Sequence, residues 1–231
     1  MTSDIPRKHF YMIRHGQTEA NAARIMAGVM DTPLTALGRT QAKAVQDVVK
    51  RLKIKPKAII HSQLSRARDT AHIINEVLSL PLYEDEGFGE IDAGEWEGVS
   101  YEIANPLFTG WVDVPGGEKT VDFFSRVKKS KISALSVHDD PVLIVCHGGV
   151  MRAIGEIWGI STPGKFENAH LYEFIPHGMN RKFPWDVYHY RYCEQEKVLK
   201  REKSGLYKAI DALEDIFSDS DTESCSASKI A

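Results

Sequence analysis

Three short apolar runs, each closing on residues suited to an anion, constrain this chain most: HFYMIRH at 9–15, KAIIHS at 57–62 and PVLIVCH at 141–147. Apolar runs of this length between polar stretches are the pattern of strands buried on both faces, as in a parallel sheet covered by helices. The chain between them carries helical spacing: Ala42, Val45, Val49 and Leu52, then Ala67, Ala71, Ile74 and Leu78, then Val121, Phe124, Val127, Ile132 and Leu135. Strands alternating with such helices predict an α/β fold of three layers, helix, sheet, helix, around a mostly parallel central sheet. A helix is expected over Gly148 to Trp158, with further strands over Leu171 to Ile175 and Val187 to Tyr192.

In a parallel sheet the C-terminal strand ends lie along one edge, where open α/β folds bind ligands. Arg14, His15 and Gly16 end the first run, His61 and Ser62 followed by Arg66 the second, and His147, Gly148 and Gly149 the third. Two guanidinium groups can grip a phosphoryl dianion with paired hydrogen bonds, and N–H groups of glycines that open a helix add donors. The cluster therefore predicts a phosphate pocket. The same groups suit simple phosphate binding, and an imidazole with one neutral nitrogen beside a fixed phosphate is also a nucleophile.

Composition narrows the partners. With 231 residues the chain suits one large domain, and a net charge of −3 gives no general attraction to nucleic acid or to an anionic membrane surface. No apolar run approaches the length of a membrane span, and MTSDIPRKHF lacks the apolar core of a signal peptide, so the chain reads as cytoplasmic. Cys146, Cys193 and Cys225 form neither a disulfide framework nor a zinc spacing. No metal and no other cofactor is expected.

The residues at these strand ends resemble the histidine phosphatase superfamily, which includes cofactor-dependent phosphoglycerate mutases and fructose-2,6-bisphosphatase. The resemblance rests on six ordered blocks: RHGQTEAN (14–21), GVMDTPLTALGRTQA (28–42), SQLSRARDTA (62–71), GEIDAGEWEG (89–98), PGGE (115–118) and CHGGVMR (146–152). It implies a phosphoglycerate mutase-like fold and a small phosphorylated substrate. By position it makes His15 the phosphoryl acceptor, with Arg14, Arg66 and His147 holding the phosphoryl group. Asn21 is expected to add a side-chain hydrogen bond and Gly148 a backbone one. Glu90 falls on the proton donor, the task being to protonate an alkoxide leaving group. Asp92, Glu95 and Glu97 are rivals, and strand-like alternation would put Asp92 on the face of Glu90.

Thr18, Pro33, Gly38 and Thr70 read as structural, through caps, turns and packing. Lys119 after PGGE and His170 after Asn168 and Ala169 depart from the family pattern and bear on substrate preference. The stretch YEIANPLFTGWVDV after WEG is short for the insertion that covers the site of mutases. A short cover admits water, so hydrolysis is expected over phosphoglycerate mutase chemistry. A non-catalytic relative that only binds phosphorylated ligands is the third reading. Phe108, Trp111 and Lys119, with Arg181 and Lys182, are candidate substrate readers. The catalytic domain is expected over 1–193, a charged helix over 194–217 and a disordered tail over 218–231, on the composition of the last segment.

Overall fold

The computed structural model describes residues 5–104, 110–160, 162, 165–177, 182–193 and 198–207. Its elements run β1 (Phe10–Arg14), α1 (Glu19–Ala23), α2 (Ala36–Arg51), β2 (Ala58–His61), α3 (Ser65–Asn75), β3 (Leu82–Glu84), α4 (Thr120–Val137), β4 (Val142–Cys146), α5 (Gly148–Glu156), β5 (Leu171–Pro176), β6 (Trp185–Cys193) and β7 (Val198–Lys203). The strands form one seven-stranded sheet in the order β3-β2-β4-β1-β5-β6-β7. The four strands from β3 to β1 pair in parallel, and β5, β6 and β7 extend the sheet antiparallel.

The three apolar runs are the three central parallel strands, and every residue of β1, β2 and β4 is buried. Alternation sends Phe10, Met12, Ile60 and Ile144 to one side, against Phe123, Val127 and Leu135 of α4 and Val150 and Ile154 of α5. It sends Tyr11, Ile13, Ile59, Leu143 and Val145 to the other, against Val45, Val48 and Val49 of α2 and Ala67, Ala71 and Ile74 of α3. The result is the three-layer arrangement expected from the patterning, with burial of both sheet faces supplying the main driving force.

The C-terminal expectation needs correction. Residues 198–203, inside the stretch read as a charged helix at 194–217, form β7, paired antiparallel with β6 from Tyr188↔Lys203 to Cys193↔Val198. Charge patterning favoured a helix, but the open edge of β6 offers a row of backbone partners, and the charges find cross-strand partners there. Arg201 donates through Nε to Glu173 Oε2 at 2.7 Å, and its guanidinium lies 3.4 Å from the centroid of the Tyr188 ring. The boundary at 193 moves with it, because Tyr207 is buried, stacks on Phe183 and donates its hydroxyl to Met151 O at 2.6 Å. The tail expected over 218–231, Phe108 and Arg181 lie outside the described residues. Among the described residues no helix is long and apolar enough to cross a membrane.

Candidate active site

Strand order and register build the site. Because β4 lies between β2 and β1, with Arg14 opposite Cys146 and His61 opposite Val145, the residues that follow these strands emerge side by side. His15 N donates to Cys146 O at 2.9 Å and Ser62 N to Val145 O at 3.1 Å, so the three chains leave the sheet in step. The rings of His15 and His147 end with centroids 5.2 Å apart.

The turn after His15 is held by backbone against backbone. A Cβ on Gly16 would lie 2.4 Å from Gly38 O, and one on Gly38 would lie 2.0 Å from Gln17 O, so this contact between the turn and the start of α2 requires glycine on both sides. Thr18 then caps α1 as expected: its side chain accepts from Asn21 N, and Asn21 Oδ1 accepts from Thr18 N. Thr70 works under the turn, accepting from Gly16 N at 3.1 Å while donating to Arg66 O at 2.7 Å.

His15 is 4% exposed, and its Nδ1 lies 2.7 Å from Gly16 O. A carbonyl can only accept, so Nδ1 carries the proton and the Nε2 lone pair is left available. Burial, and then the positive charges of Arg14 and Arg66, push the imidazole pKa well below its usual value of 6.5; the Gly16 carbonyl opposes them. The ring is neutral at pH 7, as a nucleophile needs.

The two arginines are anchored and leave donors over. Arg14 uses Nη1 on Phe166 O at 2.9 Å, and Arg66 donates to Met30 O at 2.9 Å and Gly28 O at 2.7 Å. Arg66 is 1% exposed, and the Nε groups of both arginines are buried without a protein acceptor. Such donors are costly unless an anion completes them. Arg14 Nε faces the start of α5, where a Cβ on Gly148 would stand 3.6 Å away. Gly148 opens that helix, so its N–H has no acceptor within the helix and faces the same region as the positive helix end.

His147 is fully buried, with Nε2 2.8 Å from Ser62 Oγ. Ser62 Oγ donates to Gln63 Oε1 and accepts from Leu64 N, so it has room to accept the Nε2 proton of His147. The remaining nitrogen, Nδ1, is buried and has no protein partner. Burial first, then Arg66, His15 and Arg14, depress the pKa of this ring well below 6.5. An anion beside Nδ1 reverses that balance and makes His147 a charged donor.

Glu90 sits in irregular chain between two short 3-10 turns, Glu86–Phe88 and Gly94–Trp96. The strand-like alternation expected to pair it with Asp92 is absent here. Its carboxylate accepts from Gly149 N at 3.0 Å through Oε2 and from Ile91 N at 3.0 Å through Oε1. Each rival has other work: Asp92 accepts from Gly94 N, Glu97 accepts from Val29 N and Met30 N, and Glu95 is exposed.

Asn21 stands near the cluster but is partly committed, with Nδ2 donating to Tyr101 Oη at 3.0 Å and Oδ1 accepting from Asn168 Nδ2 at 3.1 Å. One Nδ2 proton remains for an anion. His61, one of the anion-suited strand ends, turns its Nδ1 to Ser62 O and packs against His72, apart from this cluster. Trp111 packs on Phe123 and Phe124, while Lys119 and Lys182 are exposed. His170, just before β5, has Nε2 2.9 Å from Nδ1 of His189 in β6. Three residues to which the sequence assigned no specific role also contribute. Ser62 fixes the His147 ring, and Asn168 donates to His15 O at 2.9 Å while Ala169 N donates to Arg14 O at 2.8 Å. Ser62 directly follows β2, which was a signal; Asn168 had none, since its contact joins segments 153 residues apart in the chain. Among the described residues no group of His, Cys, Asp and Glu is arranged to hold a metal ion.

The chain is similar to known proteins in both sequence and fold. A family model described as the histidine phosphatase superfamily (branch 1) matches residues 10–174. A glucosyl-3-phosphoglycerate phosphatase of Mycolicibacterium vanbaalenii is 34% identical over 164 residues, covering 64% of this chain and 72% of that protein. A putative phosphoserine phosphatase of Hydrogenobacter thermophilus is 34% identical over 157 residues, covering 64% and 76%. A probable phosphoglycerate mutase of Proteus mirabilis is 35% identical over 150 residues, covering 60% and 68%. The solved structure of a mycobacterial glucosyl-3-phosphoglycerate phosphatase with VO3 superposes with a TM-score of 0.65 at 28% identity, over 78% of this chain and 96% of that one.

Proposed function

The chain belongs to the histidine phosphatase superfamily, and from that membership we propose that it hydrolyses phosphate monoesters through a phosphoryl group carried on Nε2 of His15. The observation that carries this reading is the 2.7 Å contact between His15 Nδ1 and Gly16 O, which leaves Nε2 unprotonated. Phosphatase names among its relatives support the hydrolytic outcome.

Arg14, Arg66 and His147, with the Gly148 N–H and the remaining Asn21 proton, bind the phosphoryl oxygens and neutralise the charge that builds on them. In the first step His15 Nε2 bonds to phosphorus, the ester P–O bond breaks, and the leaving oxygen takes the proton of the Glu90 carboxyl group. In the second, water attacks phosphorus, Glu90 takes its proton, the P–N bond breaks, and phosphate leaves with neutral His15 restored. Positive charge from two arginines and His147 does what a metal ion does in other phosphoryl-transfer sites, so the reaction is proposed to need none. The similar structure solved with VO3 supports using vanadate as a probe of this site.

The test is phosphate release from 4-nitrophenyl phosphate, then from a panel containing glucosyl-3-phosphoglycerate, phosphoserine and 3-phosphoglycerate, with an acid-labile, alkali-stable phosphoprotein trapped by rapid quench. No release from any ester by folded protein overturns the reading.

A further inference from the structure

Arg126, in α4, stands outside the phosphate cluster, yet its guanidinium is spent wholly on Glu118 and on the loop that carries Glu90. Nη2 donates to Glu90 O at 2.8 Å; Nη1 donates to Gly89 O at 2.8 Å and Gly87 O at 3.1 Å. Nε and the second Nη2 proton go to the two oxygens of Glu118, at 2.6 and 2.8 Å. All five N–H bonds of the side chain are thereby used. The guanidinium also lies over the Phe123 ring, 4.8 Å from its centroid.

Glu118 ends the PGGE segment, which is bound to the same loop from its other end. Glu118 N donates to Asp92 O at 3.0 Å, and Glu95 N donates to Pro115 O at 3.1 Å. Residues 87–95 have no strand or helix ladder of their own, only two 3-10 turns. The backbone carbonyls of Gly87, Gly89 and Glu90 are satisfied by one side chain anchored on a long helix. That side chain is 27% exposed and its partner Glu118 18%, so the pair is shielded more than a surface ion pair. A planar fork with five fixed donors can clamp three carbonyls and a carboxylate at once; a lysine ammonium cannot.

We propose that Arg126, locked by Glu118, is the positioning residue for the proton donor: it fixes the Glu90 backbone so that the carboxylate meets Gly149 N at the helix end where phosphate binds. It touches no reacting atom. Its effect passes through Glu90, so its loss should weaken proton donation and spare phosphoryl capture. The inference rests on the reading of Glu90 as the acid.

The experiment compares phenyl phosphate, whose leaving group needs a proton, with 4-nitrophenyl phosphate, whose leaving group scarcely does, in Arg126→Lys, Arg126→Ala and Glu118→Gln proteins. Displacement of a catalytic group by about an ångström costs on the order of 100-fold, so kcat for phenyl phosphate should fall about 10- to 100-fold in Arg126→Ala. The fall for 4-nitrophenyl phosphate should be under about threefold, since general-acid help scales with leaving-group need. Arg126→Lys should not rescue. In a Glu90→Gln background the Arg126 substitutions should cost nothing more on phenyl phosphate, because the group they position is gone. Equal losses on both esters, full rescue by lysine, or additive losses in the double variant overturn the proposal. The Gly149 amide resonance gives a reading without turnover: it should shift in Arg126→Lys and Glu118→Gln as it does in Glu90→Gln, and an unmoved resonance also overturns the proposal. Wild-type protein inactive on both esters would sink the hydrolase reading instead, leaving the amide shift to decide the role of Arg126.

Discussion

The Glu90 carboxylate and the Gly149 N–H meet at 3.0 Å, joining an irregular loop to the second residue of the helix that follows the central strand. This contact holds the proposed acid beside the positive end of α5, one residue from the Gly148 donor. It also explains the second glycine of CHGGVMR, since a Cβ at 149 would stand 2.1 Å from Glu90 Oε1.

Gly149→Ala should therefore fold, because the clashing atom is the tip of a side chain that can swing away, but it should displace the acid. Turnover of phenyl phosphate should drop by about 10-fold or more, in line with the cost of a small misplacement of a catalytic group. Steady-state kinetics with thermal denaturation checks both halves. Unchanged turnover in a folded Gly149→Ala protein would detach Glu90 from catalysis.

His15→Ala should abolish turnover and phosphoprotein formation while leaving the fold intact. The residue follows the C-terminal end of β1 and lies outside both apolar cores, and its proposed role is to form the intermediate. Rapid acid quench with labelled substrate tests this, and a folded His15→Ala protein with full activity would remove the mechanism.

Neither His15 nor His147 should titrate near pH 6.5. Both native pKa values are lowered, by burial first and by the arginines next, so each ring stays neutral as pH falls through the value of a free imidazole. The unfolded chain gains those protons below about pH 6.5 while the native one does not, so stability is fully present above that pH and declines as pH drops toward the native values. Imidazole nitrogen shifts measured from pH 8 to 5.5 should stay flat for these two rings; a midpoint near 6.5 for either would contradict the electrostatics.

Lys131 is fully buried in α4, its Nζ without a hydrogen-bond partner and 3.9 Å from the centroid of the Trp185 ring. Burial pushes its pKa well below 10.5, so below pH 10.5 the unfolded chain binds a proton that the native one resists, and stability falls as pH falls. Lys131→Met should stabilise at pH 7 by about 1–3 kcal/mol, the usual cost of an unsatisfied buried polar group, with a smaller gain above pH 10.5. Denaturant melts at the two pH values decide it. A destabilised Lys131→Met protein would mean that the aromatic rings compensate the ammonium.

Phosphate release should survive exhaustive chelation and be inhibited competitively by vanadate. With 3-phosphoglycerate, phosphate should appear one for one with substrate loss, without 2,3-bisphosphoglycerate. Loss of activity on chelation, restored by magnesium or zinc, would end the metal-free reading. Isomerisation far outpacing phosphate release would place the error in the cover of the site and leave His15 standing.

Much of this was legible in one dimension. The apolar runs at 9–15, 57–62 and 141–147 are short enough and apolar enough to suit strands of a sheet buried on both faces, and their polar ends share an edge because parallel strands point one way. Local chemistry was legible too, as in the Thr18 cap, since a cap is satisfied within a few residues. Contacts between segments far apart in the chain were not. Motif position and general-acid logic favoured Glu90 in the sequence; its contact with Gly149 N, and the commitment of Asp92 to Gly94 N, are visible only in the structure. Glu118 and Arg126 are an unremarkable acidic and basic pair in the sequence and become a clamp only where α4 passes beneath residues 87–90. Residues 198–203 carry a charge pattern that suits an isolated helix, and the open edge of β6 makes them a strand. The amino-acid sequence by itself determined the periodicity and the residue types at the strand ends, because those depend on near neighbours. Tertiary structure decided which carboxylate meets the phosphate edge, which side chain holds it and where the sheet stops, because each is settled by the nearest partner in space.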